Sequence, residues 1–226
     1  CKSFSVRADG YGRGEGVVAL VLKPLVAAEA DGDRILGVIR GSAEGHAGHA
    51  VSLTAPNPRA QAELLQTAWA AAGISPNDIG YIEAHGTGTE LGDPAEVDGI
   101  KAAVGADAAE GSIGLGSVKS NVGHLEPASG LAGVVKALLA FRHGVWPATL
   151  HCDQPNPLLK LAGSPLRLVR KAEKYPIGQP LVGISAFGFT GAMAHAVLAP
   201  PPAHVVAPKQ NGPQVFPLSA RSAVAL

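Results

Sequence analysis

Apolar runs alternate with Gly- and Pro-punctuated polar stretches along the whole chain, and their periodicity changes from segment to segment. Residues 16–22 and 35–41 are rich in Val, Ile and Leu and flank the turn-forming Asp31-Gly32-Asp33, which predicts two strands. Residues 45–56 are polar and Gly/His-rich and read as a loop. Asn57-Pro58 then opens a helix, with Asn at the N-cap and Pro at the first helical position. Leu65, Trp69 and Ala72 give this helix a buried stripe, and Gly73 ends it. Residues 79–84 form the next predicted strand, and Asp93-Pro94-Ala95-Glu96 has the form of a capped helix start. Another strand is predicted over 113–118, followed by a helix over 127–143. On that helix Ala128, Gly130, Ala132 and Gly133 allow close approach of neighbours. Gly inside a helix costs roughly 1 kcal/mol against Ala, so a crowded, central position accounts for them. Shorter strands are expected over 148–151, 166–171, 181–186 and 194–198. Alternating strands and helices, followed by closing strands, specify a layered α/β sheet. Residues 200–213 are Pro-rich and polar and read as an interdomain linker, before an apolar segment resumes at Val215.

Composition narrows the class. With 226 residues, 46% hydrophobic and 16% charged, the chain can bury one sizeable core. Lys plus Arg equals Asp plus Glu at 18 each, so no global charge points to nucleic acid or a membrane surface. The 29 Gly and 18 Pro fall mostly at turns between apolar segments, which argues against disorder. Two cysteines make no disulfide framework, so a reducing, cytoplasmic home is expected. The longest apolar stretch, residues 131–141, is short and carries Lys136, so no membrane span is expected. A first residue of Cys rather than Met leads us to expect a piece of something longer.

Two Gly-rich turns carry the chemistry. One is Glu83-Ala84-His85-Gly86-Thr87-Gly88-Thr89, the other Val118-Lys119-Ser120-Asn121-Val122-Gly123-His124. Each follows a predicted strand, so each histidine is expected at a strand end, where open α/β sheets place their ligands. Two neutral imidazoles converging on one point can hold a developing oxyanion and assist proton movement. A histidine in such a turn can also simply satisfy backbone groups. No Ser or Cys in a nucleophile setting lies upstream, so the chain reads as the second half of an active site. His46 and His49 have an i, i+3 metal spacing, but no Cys or carboxylate cluster completes it, and no metal is expected.

These turns belong to a longer ordered series. It comprises Arg7-Ala8-Asp9-Gly10-Tyr11-Gly12-Arg13-Gly14-Glu15-Gly16, Leu53-Thr54-Ala55-Pro56-Asn57, and residues 83–94, 116–125, 151–157 and 183–191. The series resembles the C-terminal half of a ketosynthase (β-ketoacyl synthase) of a modular polyketide synthase, over residues 1–200. Ala60-Gln61-Ala62-Glu63-Leu64-Leu65 and Thr89-Glu90-Leu91-Gly92-Asp93-Pro94 are similar to synthases whose acyltransferase acts in trans.

The resemblance implies a thiolase-like layered α/β/α/β/α fold, of which this chain holds the C-terminal half plus the last strands of the N-terminal half. Residues 1–56 would end the N-terminal half, 57–199 form the C-terminal half, and 200–226 a linker into the next region. The strands over 16–22 and 35–41 would then belong to the other half's sheet, and alone would expose sheet edges and apolar faces. The chain is accordingly expected to be a fragment or one half of a split enzyme.

The implied reaction is decarboxylative Claisen condensation by a Cys-His-His set, with His85 and His124 as the two histidines and the cysteine in the N-terminal half. Lys119 matches the family lysine and would bias His124 towards its neutral form; an ordinary salt bridge, with Glu126, is the alternative. Thr87 and Thr89 match the hydroxyls that bind a phosphopantetheine arm, or serve turn chemistry alone. Phe189 matches a gating phenylalanine, or is a plain core aromatic. Cys1 and Cys152 lack the helix N-terminus or cationic neighbour that activates a thiol. No cofactor is bound directly, since substrates ride on the phosphopantetheine of an acyl carrier protein. Carrier protein, other megasynthase domains, the N-terminal half and a second copy are the implied partners.

The chain departs from the family pattern at Thr190-Gly191-Ala192-Met193-Ala194-His195, where Gly-Gly-Thr-Asn-Ala-His is usual. Losing the Thr-Asn pair removes polar side chains that help pin this loop, and His195 reads as a structural strand residue. A non-elongating, acyl-transferring ketosynthase and a non-catalytic docking half remain alternative readings.

Overall fold

The computed structural model describes residues 1–48, 55–105, 108–175, 180–202, 219–222 and 224. Helix α1 (Leu25–Ala30) is followed by strand β1 (Val38–His46), helix α2 (Pro58–Ala72), β2 (Ile79–Glu83) and α3 (Gly92–Val104). Then come β3 (Ile113–Gly116), the single turn α4 (Lys119–Val122), α5 (Ser129–His143), β4 (Val145–Trp146), β5 (Leu166–Leu168), β6 (Glu173–Lys174), β7 (Leu181–Phe187) and β8 (Ala192–Ala199).

Six strands form one sheet in the order β1-β8-β7-β2-β3-β5. β7, β2, β3 and β5 run parallel, while β8 is antiparallel to β7 and to β1. Strand alternation sends the neighbours Tyr81 and Ile82 to opposite faces, and an irregularity in the pairing between Ile79 and Tyr81 puts Ile79 on the side of Ile82. Ile79 and Ile82 join α2 and α3 in one core, with Leu65, Trp69, Val97 and Ile100. Tyr81 and Val182 join α5 in the other, with Ala137, Ala140 and Trp146. Tyr81 stacks on Trp146 at 4.3 Å, and Lys136 from α5 donates to Glu83 and to the Tyr81 hydroxyl, both at 2.7 Å. The chain thus contains one α/β/α sandwich of the expected layered class.

Local signals explain several boundaries. Asn57 caps α2 by accepting from the Ala60 amide, and Gly73 ends it at φ 65°. Other expectations require correction. Residues 16–22 form no strand among the described residues, and Val17 and Val21 are 98% and 99% exposed. A β-prone run becomes a strand only against a neighbour. The segment predicted over 35–41 is β1, which begins later, runs into the expected loop, and pairs with β8 of this same sheet rather than with another. No strand forms over 148–151, where His151 takes a left-handed φ of 60°; the paired residues are those of β4, against β6. The linker reading over 200–213 and the His49 and Leu53-Thr54 positions lie largely or wholly outside the described residues.

Beside the exposed segment an apolar hollow of about 560 Å³ opens between Val18, Leu125, Val135, Leu139 and Val145. No helix among the described residues is long and apolar enough to cross a membrane.

Candidate active site

β7, β2 and β3 are parallel neighbours, so their C-terminal ends open along one edge of the sheet, where such folds gather ligands. β2 delivers His85, β3 leads through Ser117 and Val118 into Lys119 and then His124, and β7 ends on Phe187. The two histidine rings meet edge to face, with centroids 5.4 Å apart and planes at 83°. Phe187, which the sequence reading missed, places its ring 5.4 Å from that of His85. The segment around residues 10–14 also clasps His124: the His124 amide donates to the Gly12 carbonyl, and the Tyr11 ring lies 4.9 Å from the His124 ring. A side chain at position 14 is excluded, because a Cβ there would lie 2.3 Å from the Val122 carbonyl oxygen.

Hydrogen bonding fixes the tautomers. The Phe187 amide donates to His85 Nδ1 at 3.3 Å, and the Glu126 amide donates to His124 Nδ1 at 3.0 Å. An amide can only donate, so both Nδ1 atoms accept and each neutral ring carries its proton on Nε2. Burial pushes His85 well below the usual imidazole range, and the charge of Lys119 pushes it further. The same two causes, in the same order, lower His124. Two neutral Nε2–H donors side by side can hold an anionic oxygen without protonating it outright.

Lys119 is buried, and burial lowers its own pKa against the opposing pull of Glu83, Glu96 and Asp93. The alternative salt bridge to Glu126 does not form; Glu126 pairs with Arg13 at 3.2 Å. Asp93 and Glu96, expected to cap α3, do otherwise: that helix starts without a side-chain cap. Spaced i, i+3, both carboxylates face the histidine turn. Glu96 accepts from the His85 and Gly86 amides at 2.7 and 2.8 Å, and Asp93 from the Phe4 and Gly88 amides at 2.6 and 3.0 Å. Burial outweighs these bonds, lifting Asp93 to about 6 and Glu96 to about 7. The sequence signal was the same Asp-x-x-Glu spacing, read towards the wrong backbone amides.

Thr87 and Thr89 are half-buried beside His85, with hydroxyls 3.2 Å apart. Phe189 is 76% exposed on the turn between β7 and β8, which overturns its reading as a core aromatic. Cys152 is buried and its thiol is pushed up to about 11, while Cys1 donates to the Gly12 carbonyl at 3.6 Å. His46 uses both ring nitrogens on backbone partners, the Gly48 amide and the Thr190 carbonyl.

His195 is a buried strand residue, as expected. Its Nε2 accepts from the Trp69 indole at 3.2 Å, and its Nδ1 lies 2.9 Å from the Ser185 hydroxyl. Burial pushes it down to about 3 from the ordinary 6.5. The folded ring therefore stays neutral while an unfolded one takes up a proton, so stability present above pH 6.5 is lost as pH falls towards 3. Each pH unit in that window costs about 1.4 kcal/mol. Between pH 6.5 and 4.5, urea denaturation of the intact protein should lose about 2–3 kcal/mol more for the parent than for His195→Gln. Parallel profiles would show that His195 is not the group responsible.

Comparison with known proteins follows the same lines. Residues 1–28 match the family described as Beta-ketoacyl synthase, N-terminal domain, residues 36–153 its C-terminal domain, and residues 155–226 the Ketoacyl-synthetase C-terminal extension. The chain is 48% identical to Polyketide synthase PksN of Bacillus subtilis over 88% of its own length, and 43% identical to Erythronolide synthase EryA2 of Saccharopolyspora erythraea over 98%. It spans only 4% and 6% of those two proteins. Among solved structures it is similar to the oxazolomycin ketosynthase domain OzmH KS7 of Streptomyces albus JA3453, with TM-score 0.92 and 44% identity. That match covers 99% of this chain and 40% of the other. The ketosynthase from module 6 of the bacillaene synthase of Bacillus subtilis matches with TM-score 0.86 and 37% identity, over 88% of this chain and 36% of that one. The parallel sheet with its two histidine turns and this similarity in sequence and structure agree: the chain belongs to the β-ketoacyl synthase family, as the C-terminal part of a ketosynthase of the modular polyketide synthase kind.

Proposed function

We propose that this chain supplies the histidine half of a site for decarboxylative Claisen condensation between a malonyl-type extender and an acyl thioester. The observation that carries the reading is the pair of neutral histidines, 5.4 Å apart, each with Nδ1 occupied by an amide and Nε2–H left to donate. Loss of CO2 from a malonyl thioester leaves an electron pair that delocalises onto the thioester oxygen as an enolate. Nε2–H of His85 and of His124 hold that oxygen, in a site where burial strengthens each donor. The enolate carbon then attacks the acyl thioester, forming a carbon–carbon bond and expelling the thiolate that carried the acyl group. That thiolate belongs to a cysteine outside this chain, since neither Cys1 nor the buried Cys152 has an activating environment.

Lys119 keeps both rings neutral, and Thr87 and Thr89 bind the phosphopantetheine arm that delivers the extender from its carrier protein. Phe189, exposed on its turn, serves as the gate at the mouth of the site. The exposed segment over 16–22 and the apolar hollow beside it are covered by the N-terminal half of the ketosynthase, and the complete domain pairs with a second copy. Other megasynthase domains flank it.

The complete ketosynthase, loaded with an acyl group and given malonyl carrier protein, is expected to release CO2 and yield a β-ketoacyl carrier protein by mass spectrometry. Ala192 and Met193, in place of the usual Thr-Asn, favour the non-elongating reading. Under that reading the acyl group transfers while CO2 release stays at background. Carrier binding with neither acyl transfer nor CO2 release would leave the docking role.

A further inference from the structure

The turn over residues 188–191 joins β7 to β8 and carries Phe189, yet Ala192 and Met193 give it no polar side chain of its own beyond Thr190. Among the described residues, the side chain bonded to its backbone is that of His46, at the far end of β1. His46 Nδ1 accepts from the Gly48 amide at 3.0 Å, so the ring proton sits on Nε2, 3.0 Å from the Thr190 carbonyl oxygen to which it donates. The next amide, Ala47, donates to the Gly191 carbonyl at 2.8 Å. Asn57, the cap of α2, donates in turn to the Ala47 carbonyl at 2.8 Å, which anchors the latch to a helix. Gly191 completes the fit: its φ is 95°, and a Cβ there would lie 2.8 Å from the His46 ring.

The residue entering this turn is Phe187, whose amide donates to His85 Nδ1. We propose that His46 is a positioning residue: it latches the 188–191 turn and so holds the Phe187 amide against His85, fixing which His85 nitrogen donates. It takes over in this chain the pinning that Ala192 and Met193 cannot provide. The inference rests on the reading of His85 as an Nε2–H donor in the condensation site.

The groups that face His85 are His124, Lys119 from α4, and Phe187 from β7, while Glu96 from α3 holds its amide. His46→Ala leaves all of them in place and frees only the turn. The test is an NMR titration of the His85 ring in the complete ketosynthase, for the parent, His46→Ala and His46→Gln, alongside melting temperature. A looser Phe187 amide opposes protonation at Nδ1 less, and a looser turn admits water. His46→Ala is therefore expected to raise the His85 midpoint by roughly half a pH unit or more, and to lower kcat for malonyl decarboxylation about three- to tenfold with KM unchanged. His46→Gln, whose amide can donate to the Thr190 carbonyl, is expected to restore both. An unchanged His85 midpoint in His46→Ala overturns the proposal. So does an equal loss in both variants that tracks a fall in melting temperature, since that marks a folding role. The titration needs no turnover. A parent enzyme without decarboxylation therefore overturns the condensation reading, and the His85 midpoint still decides for or against the latch.

Discussion

Replacing His85 by alanine in the complete ketosynthase is expected to lower malonyl decarboxylation by about 10²–10³-fold, the usual loss when one oxyanion donor is removed. Loading of the acyl group onto the cysteine should survive, because that step asks nothing of a donor aimed at the extender's oxygen. The effect should fall on kcat rather than KM, since the enolate charge exists only beyond the ground state. His85→Gln should recover part of the rate if the amide can present an N–H where Nε2 stood. The alternative role for this histidine, satisfying backbone groups in a tight turn, predicts the opposite division. There the two substitutions would act through stability, loading and decarboxylation would fall together, and the ratio between them would not move. Single-turnover assays that follow CO2 and acyl-enzyme separately distinguish the two. Retention of full chain extension by His85→Ala would remove this residue from the chemistry.

Much of this site was legible before any coordinates, and for a physical reason. A histidine that must emerge at a strand end needs an apolar run before it and flexible backbone after it, and both signals are local. For His85, Ile79 to Glu83 provide the first and Gly86 and Gly88, both at positive φ, the second; His124 departs from this pattern, following α4 and Gly123 rather than emerging directly from β3. The cap at Asn57 and the stop at Gly73 were readable for the same reason. What failed was non-local. Asp93 and Glu96 fit a cap by spacing, yet their carboxylates turn inward because the amides of His85, Gly86, Gly88 and Phe4 are otherwise buried without partners. Phe187 is an ordinary strand residue in sequence; only the parallel pairing of β7 with β2 brings its amide to His85. His46 has the spacing of half a metal pair, and its ring nitrogens are spent on the nearby Gly48 amide and on the Thr190 carbonyl, 144 residues away. Residues 16–22 have the local marks of a strand and meet no partner strand among the described residues.

Lys119→Met is expected to move the acid limb of the decarboxylation profile upward, on the order of one pH unit. Lys119 is the leading charge that lowers both His85 and His124, after burial itself. Removing a cation from beside an imidazole makes the protonated ring easier to form, so each pKa climbs back towards 6.5 and the neutral donors are lost at a higher pH than in the parent. The buried acids respond in the same direction. Asp93 and Glu96, already lifted to about 6 and about 7, lose an attractive partner and hold their protons further up the scale. A protonated Glu96 accepts less strongly from the His85 amide, so the turn loosens as well. Well below pH 6.5 the variant should run up to about tenfold slower than the parent, and the gap should close as pH rises past 7. That convergence is the diagnostic feature. A lysine that merely braces the loop would give a loss of equal size at every pH, and its replacement would leave the limb where the parent has it.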